Sequence, residues 1–422
     1  MAERAAMTMN KPLEQATASF SFARGLPDPL PRWAGMPRYN FVGGHNDPDR
    51  VPVDDLADAA ARALRTHARQ LAIYNLGTGP LGFEGLRDGI ALRLRDRGMD
   101  VDRERVLVTS GSGQGLDLVN AALVEPGDTV VLEEFTYSGA LNKARKLGAR
   151  IAGAPLDTHG LDVFRLGQML DEMARQGVRP KYIYTIPTVQ NPTGSILPAE
   201  RRHRLVELAR HYRVPIFEDE CYAELGFAAE TPPALAALAP ESVIHIGSFS
   251  KTLAPAIRLG YIVAEPAVLR QLVALKSDGG TGAIDQMVAA EYLASGYAGH
   301  VDDLATALRR KLAVMTEAIE REFGTTVEIV RPEGGIFVWL RFPADFDVRR
   351  LIGPAAARGV VFNPGPEWAC EPERAKNLMR LCFALPGEDD IRAGVAELGA
   401  ACYEVAGFPQ RSANVARSRV RP

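Results

Sequence analysis

The stretch GSFSKTLAPAIRLGY, residues 247–261, decides how the rest of the chain is read. It begins at the end of an apolar run, VIHIGS from Val243, and passes at once into hydroxyls, Lys251, a helix-breaking Pro255 and Arg258. Working outward, runs of the same kind recur as VLVTSG from Val106, TVVLEE from Thr129, YIYTIP from Tyr182, VPIFEDE from Val214 and GYIVAE from Gly260. Short β-branched runs without polar alternation suit strands buried on both faces, as in a parallel sheet covered by helices. The segments between them, such as PAERRHRLVELARHY (198–212), carry apolar residues at helical spacing. Right-handed crossovers then predict an α/β architecture with a large, doubly wound, mostly parallel sheet.

Polar residues collect where the apolar runs end, which is where open parallel sheets bind ligands. Lys251 stands just past one run, flanked by Ser248 and Ser250, with Arg258 seven residues on. A lone lysine there is an ordinary surface residue. Two hydroxyls, a turn and a guanidinium beside it suit an anion instead, and an amine able to form a Schiff base next to a phosphate site is what pyridoxal 5′-phosphate (PLP) requires. In VPIFEDECYAEL (214–225), Asp219 follows an apolar strand, where a carboxylate is costly without a cation. A protonated pyridine nitrogen is such a cation; a helix N-cap is the plainer alternative. Tyr222, three residues on, and Asn191 in YTIPTVQNPTG (184–194) are placed to reach the phenolic oxygen of the same ring, although Asn-Pro is also a common turn pair. VTSGSGQGLDL (108–118) reads as strand, glycine-rich turn and helix, whose N-terminal N–H groups, with Ser112, favour a phosphate. It lacks the lysine of a nucleotide-binding loop. Tyr137, in LEEFTYSGA (132–140), suits stacking on an aromatic ring and core packing equally.

The pattern changes after Tyr297, where a helical stretch over about 300–322 leads to TVEIV, GGIFVWLRF, GVVFNPG and MRLCFAL. Such strands with few helices between them predict a separate α+β domain. The expected organisation is an N-terminal arm and part of the small domain in 1–55, a large domain over 56–300, a small domain over 301–408 and a disordered tail over 409–422. The tail carries four arginines without aromatics, a weak signal for phosphate binding.

Composition excludes whole classes of function. The 422 residues are 46% hydrophobic and 24% charged, which is globular rather than disordered. The 49 Lys and Arg against 52 Asp and Glu leave a net charge of −3, so no footprint for nucleic acid or an anionic membrane is expected. No apolar run is long enough for a membrane span, and the first twenty residues lack a signal core. Four cysteines far apart, without clustered ligands, predict a reducing cytoplasm and no metal site.

Taken together, SFSK followed by Arg258, EDECY, NPTG and GSGQ resemble the fold-type I PLP enzymes, specifically the class I/II aminotransferase family, from about Phe41 to Phe408. The chain looks most like the branch containing aminoadipate and kynurenine aminotransferases, which also supplies the effector domain of a class of bacterial regulators. The resemblance implies that Lys251 is the Schiff-base lysine and proton carrier, that Asp219 pairs with the pyridinium, and that Asn191 and Tyr222 bind the phenolic oxygen. It implies that Tyr137 stacks on the ring and that Ser112, Gly113, Gln114, Ser248, Ser250 and Arg258 form the phosphate cup. Tyr74, in AIYNLGTGPLGFEGLR, matches a tyrosine that reaches the neighbouring subunit's phosphate, implying a homodimer with shared active sites. Arg380, in NLMRLCFA, matches the arginine that clamps the substrate α-carboxylate, with Gly44 and His45 of FVGGHNDPD beside it.

Departures from the family pattern bear on substrate. The segment after Tyr74 is about three residues longer than usual, His45 replaces an apolar residue, KSDGGTGAIDQ (276–286) holds three glycines, and Asp303 and Ala305 replace basic residues after His300. Each is drift in a surface loop or an altered substrate mouth; the second reading predicts a bulky or polar distal group on the substrate. The expected activity is transfer of an amino group from an L-α-amino acid to a 2-oxo acid. The same constellation serves elimination, cyclisation, C–C bond formation or oxidation in specialised metabolism. About 40 residues precede the family region, too few for a winged-helix domain, which argues against a regulator.

Overall fold

A computed structural model describes residue 29 and residues 35–228 and 230–409. Almost all of the expected arm before residue 35, and the expected tail from residue 410, lie outside the described residues. Seven strands form the larger sheet: β1 (Val106–Thr109), β2 (Thr129–Glu133), β3 (Arg150–Ala154), β4 (Ile183–Thr185), β5 (Ile216–Asp219), β6 (Val243–Ser248) and β7 (Gly260–Val263). Their order is β1-β7-β6-β5-β4-β2-β3. Every pairing is parallel except those of β7, which runs antiparallel to both β1 and β6.

Why these runs carry no polar alternation is visible in the packing. Val106 and Val108 of β1 enter one hydrophobic core while Leu107 enters another on the opposite face, and Ile216 and Phe217 of β5 divide the same way. Successive strand residues point to opposite faces, so a sheet covered on both sides needs an apolar residue at every position. Each such side chain contributes about 1.5–3 kcal/mol. The helices between the strands supply the cover. Val163–Arg175, for example, buries Val163, Leu166 and Leu170 and is capped by Asp162, which accepts the N–H groups of Phe164 and Arg165.

A second sheet of four antiparallel strands follows: β8 (Glu328–Val330), β9 (Phe337–Arg341), β10 (Asn363–Pro364) and β11 (Leu378–Cys382), in the order β8-β9-β11-β10. The helices Tyr297–Phe323 and Glu388–Ala406 pack on it, and Tyr39–Asn40 pairs in parallel with Val360–Val361. Val189 and Tyr222, from the loops after β4 and β5, lodge in the core of this second sheet. The loops at the carboxyl ends of the large sheet therefore lie against the smaller one.

Candidate active site

The carboxyl ends of the parallel strands and the start of β7 meet at one edge, because Gly260 pairs with both Ser248 and Thr109. A cavity of ≈ 150 Å³ opens there, lined by Ser112, Gly113, Tyr137, Ile186, Asn191, Asp219, Cys221, Tyr222, Ser248, Ser250, Lys251 and Arg258. Ten of these are sequence-identified candidates, drawn from well-separated segments and brought together by the strand order. Ile186 and Cys221 are additions.

One wall suits an anion. The helix Ser112–Leu123 begins at the cavity, after Gly111 at φ 78°. A Cβ on Gly111 would meet the flexible end of the Arg258 side chain, which can shift, so it is the positive φ that requires glycine here. Arg258, itself left-handed at φ 52°, is held by the Pro255 carbonyl at 3.1 Å. The Ser250 N–H donates to the Ser248 hydroxyl at 3.1 Å. Gln114 turns aside: its amide donates to Asp278 at 2.6 Å and its oxygen accepts the Ser110 N–H at 2.8 Å. It ties the loop before the helix to the glycine-rich 276–282 segment and does not line the cavity.

The floor is acidic. Asp219 is 4% exposed and accepts from the Tyr184 hydroxyl at 2.7 Å and the Cys221 N–H at 3.1 Å, with no ion pair to a cation among the described residues. Burial pushes its carboxyl up, while hydrogen bonds from Cys221 and Tyr184 pull it down. Its neighbours Glu218 and Glu220 are buried too, but each is matched. Glu218 accepts from the Leu235 and Ala236 N–H groups and faces His245 at 2.9 Å, and Glu220 pairs with Arg97 at 2.7 Å and Arg202 at 3.6 Å. A wall suited to an anion and a buried carboxylate without an ion pair among the described residues, lining one cavity with a lysine, fit PLP.

Lys251 donates to the Gly44 carbonyl at 2.9 Å and lies 5.9 Å from the centre of the Tyr222 ring. Burial lowers its pKa, and Arg380 and Arg258 nearby act in the same direction, which favours the nucleophilic free amine. A Cβ on Gly44 would collide with the lysine Nζ. Arg380, on β11, is 2% exposed and donates to Asn191 Oδ1 at 3.0 Å, Asn363 Oδ1 at 2.8 Å and the Gly43 carbonyl at 2.9 Å. Its guanidinium carbon lies 3.8 Å from the centre of a Trp368 ring. His45 is exposed beside Gly44, and Tyr74 is 88% exposed, outside the cavity lining.

Sequence reasoning passed over Tyr184, Cys221, Asn363, Trp368 and the buried Glu133. Glu133 accepts from Thr185 at 2.6 Å, the Ile186 N–H at 3.1 Å and Gln190 at 2.9 Å; Gln190 in turn accepts from Thr193. It thereby holds the turn that carries Asn191. Burial raises its pKa from 4.5 to about 7. A carboxyl raised by folding supports the fold fully below about pH 4.5 and loses that support as pH rises through 7, amounting to about 3 kcal/mol. Urea unfolding of the wild type should show this loss between roughly pH 4.5 and 7, and Glu133→Gln should lack it. Identical pH dependence in the two proteins would show that the carboxyl stays ionised throughout.

Known proteins resemble this chain along most of its length. Residues 44–398 match the family model of aminotransferase class I and II. Aromatic-amino-acid aminotransferase 1 of Thermococcus litoralis is 35% identical over 364 residues, 85% of this chain and 86% of that protein. The 2-aminoadipate transaminase of Thermus thermophilus is 34% identical over 86% of this chain and 89% of its own length. The crystal structure of an α-aminoadipate aminotransferase from Thermus thermophilus, complexed with N-(5′-phosphopyridoxyl)-L-leucine, superposes with a TM-score of 0.80 at 32% identity, covering 88% of this chain and 93% of that one. The chain belongs to the class I and II aminotransferases, PLP-dependent enzymes that transfer an amino group from an amino acid to a 2-oxo acid.

Proposed function

We propose that Lys251 and Arg380 define the seat of an L-α-amino acid whose amino group is passed to a 2-oxo acid. One observation carries this reading: the Lys251 amine and the Arg380 guanidinium donate to adjacent carbonyls, Gly44 and Gly43, each at 2.9 Å. An amine-reactive centre and a carboxylate receptor one residue apart match the short span between the amino and carboxylate groups of an α-amino acid. Bound PLP supplies the electron sink that makes the substrate Cα–H acidic. Lys251 Nζ takes that proton, Asp219 holds the pyridine nitrogen protonated, and Asn191 and Tyr222 orient the phenolic oxygen. Tyr137 covers the ring, while Ser112, Gly113, Ser248, Ser250 and Arg258 hold the phosphate, with Gln114 bracing their loop from behind. His45, next to Gly44, borders the substrate mouth.

The two sheets, each with its own core, support a large domain over 56–300 and a small domain over 301–408, with residues 39–40 joining the latter. A homodimer is part of the proposal. Tyr74 projects from a loop with Asn75 and Leu76 at φ 56° and 58°, beside a groove lined by Leu71, Ile73 and Gly280. Large exposed apolar groups around such a groove suit a second copy. Four unpaired cysteines suit the reducing cytoplasm, and among the described residues no helix is long and apolar enough to cross a membrane.

The test is a panel of amino acids mixed with the holoenzyme, read by the absorbance change on amine transfer and by the keto acid released. Substrates with a bulky side chain or a polar group at its distal end should outrank the short side chains of alanine and aspartate, and sedimentation should show a dimer. Consumption of an amino acid without release of its keto acid would replace transamination by elimination or cyclisation on the same residues. An active monomer would remove Tyr74 from the site.

A further inference from the structure

Asp219 is held by a group that the cofactor reading does not use. Tyr184 lies on β4, paired in register with Phe217 of β5, and so faces the same side of the sheet as Asp219, two residues further on. Side chains in strands lean along the strand, which carries the Tyr184 hydroxyl to Asp219 Oδ2 at 2.7 Å. The ring is buried and packs edge-on against Phe217 at 5.5 Å, while Tyr182 packs on the same phenylalanine at 5.7 Å. The phenol is locked in place with its hydroxyl directed to one carboxylate oxygen. The other oxygen takes the Cys221 N–H.

We propose that Tyr184 is a positioning residue for the cofactor ring, whose hydroxyl sets how far the proton shared between Asp219 and the pyridine nitrogen resides on the nitrogen. The proposal rests on the pairing of Asp219 with that nitrogen. A hydrogen bond to a carboxylate stabilises its charged form and weakens it as a base, so the proton stays on the nitrogen. Burial and the neighbouring Asp219 hold the Tyr184 phenol well above its ordinary value, so it remains a donor throughout the working range. Without the hydroxyl, Asp219 becomes the stronger base and draws the proton away, which leaves the ring a poorer electron sink.

Tyr184→Phe removes the hydroxyl and keeps the ring. In holoenzyme reconstituted with cofactor labelled with ¹⁵N in the pyridine, the nitrogen resonance should move toward neutral pyridine. The cofactor dissociation constant should rise and turnover fall, each roughly tenfold, as expected for one charge-assisted hydrogen bond. A lowered melting temperature with an unmoved ¹⁵N resonance would overturn the proposal and leave the hydroxyl a structural bond. Asp219→Ala separates the two layers. If it leaves the nitrogen protonated, the Asp219 pairing itself is wrong; if it shifts the resonance and Tyr184→Phe does not, only the role of Tyr184 falls. Should Tyr184→Phe not fold, Phe217→Leu frees the ring while keeping the hydroxyl, and absence of any shift there would equally overturn the proposal.

Discussion

Lys251→Ala should bind PLP and turn over no amino acid, with activity reduced by at least about 10⁴-fold. The substitution removes three things at once. On the proposed assignment it deletes the amine that attaches the cofactor and the base that takes the Cα proton, and it also removes the hydrogen bond to Gly44. Fold and cofactor affinity rest on other residues. The Ser248 hydroxyl is held by the Ser250 N–H, Arg258 by the Pro255 carbonyl, and Asp219 by Tyr184 and Cys221, none of them through the lysine. The variant should therefore retain noncovalent PLP while losing the product of borohydride reduction, which in the wild type should be fixed to the single peptide containing Lys251. Because the lysine amine lies in a half-buried space beside Gly44, a small external amine should restore part of the turnover. A borohydride-stable adduct in the variant, or turnover near that of the wild type, would place the attachment on another residue.

The legible part of this site is the part written at strand ends. Lys251, Asp219, Asn191 and the helix starting at Ser112 each follow an apolar run, and the period-two packing of both faces explains why those runs lack polar alternation. The strand Arg150–Ala154 (RIAGA) escaped because it is an edge strand built from small residues, with its first residue exposed. The antiparallel course of β7 also left no trace in composition, since its residues are buried like those of the parallel strands. Tyr184 and Glu133 were missed for the opposite reason. They sit inside or at the end of apolar runs, where a phenol or a carboxylate reads as core filling or a strand terminus; the strand register reveals Asp219 as the partner of Tyr184, and the fold of the turn after β4 reveals Gln190 as the partner of Glu133. Asn363 and Trp368 depend on contacts with β11 that no local pattern encodes.

Arg380→Ala should lower kcat/KM for α-amino acids by roughly 30- to 1000-fold while leaving simple amines little affected. In the free protein the guanidinium is buried, and its hydrogen-bond acceptors are neutral: two side-chain amide oxygens and one carbonyl. Its Nε meets no acceptor among the described residues, and no carboxylate forms an ion pair with it there. Burial without a touching anion depresses its pKa, an expense that a bound carboxylate offsets. Trp368 on one face at 3.8 Å and Phe337 at 5.2 Å fix the plane of the fork, so a carboxylate bound to it would be held in one orientation relative to Lys251. A desolvated, charge-assisted pair of this kind contributes on the order of 2–4 kcal/mol. Arg380→Lys should fall between the wild type and alanine, because a point charge keeps the attraction and loses the bidentate geometry. Comparing an α-amino acid with the amine that lacks its carboxylate isolates this contribution from general damage. If both substrates lose activity equally, or if holoenzyme absorbance shows that the cofactor has shifted, Arg380 acts by holding Asn191 and Asn363 in place rather than by binding the carboxylate.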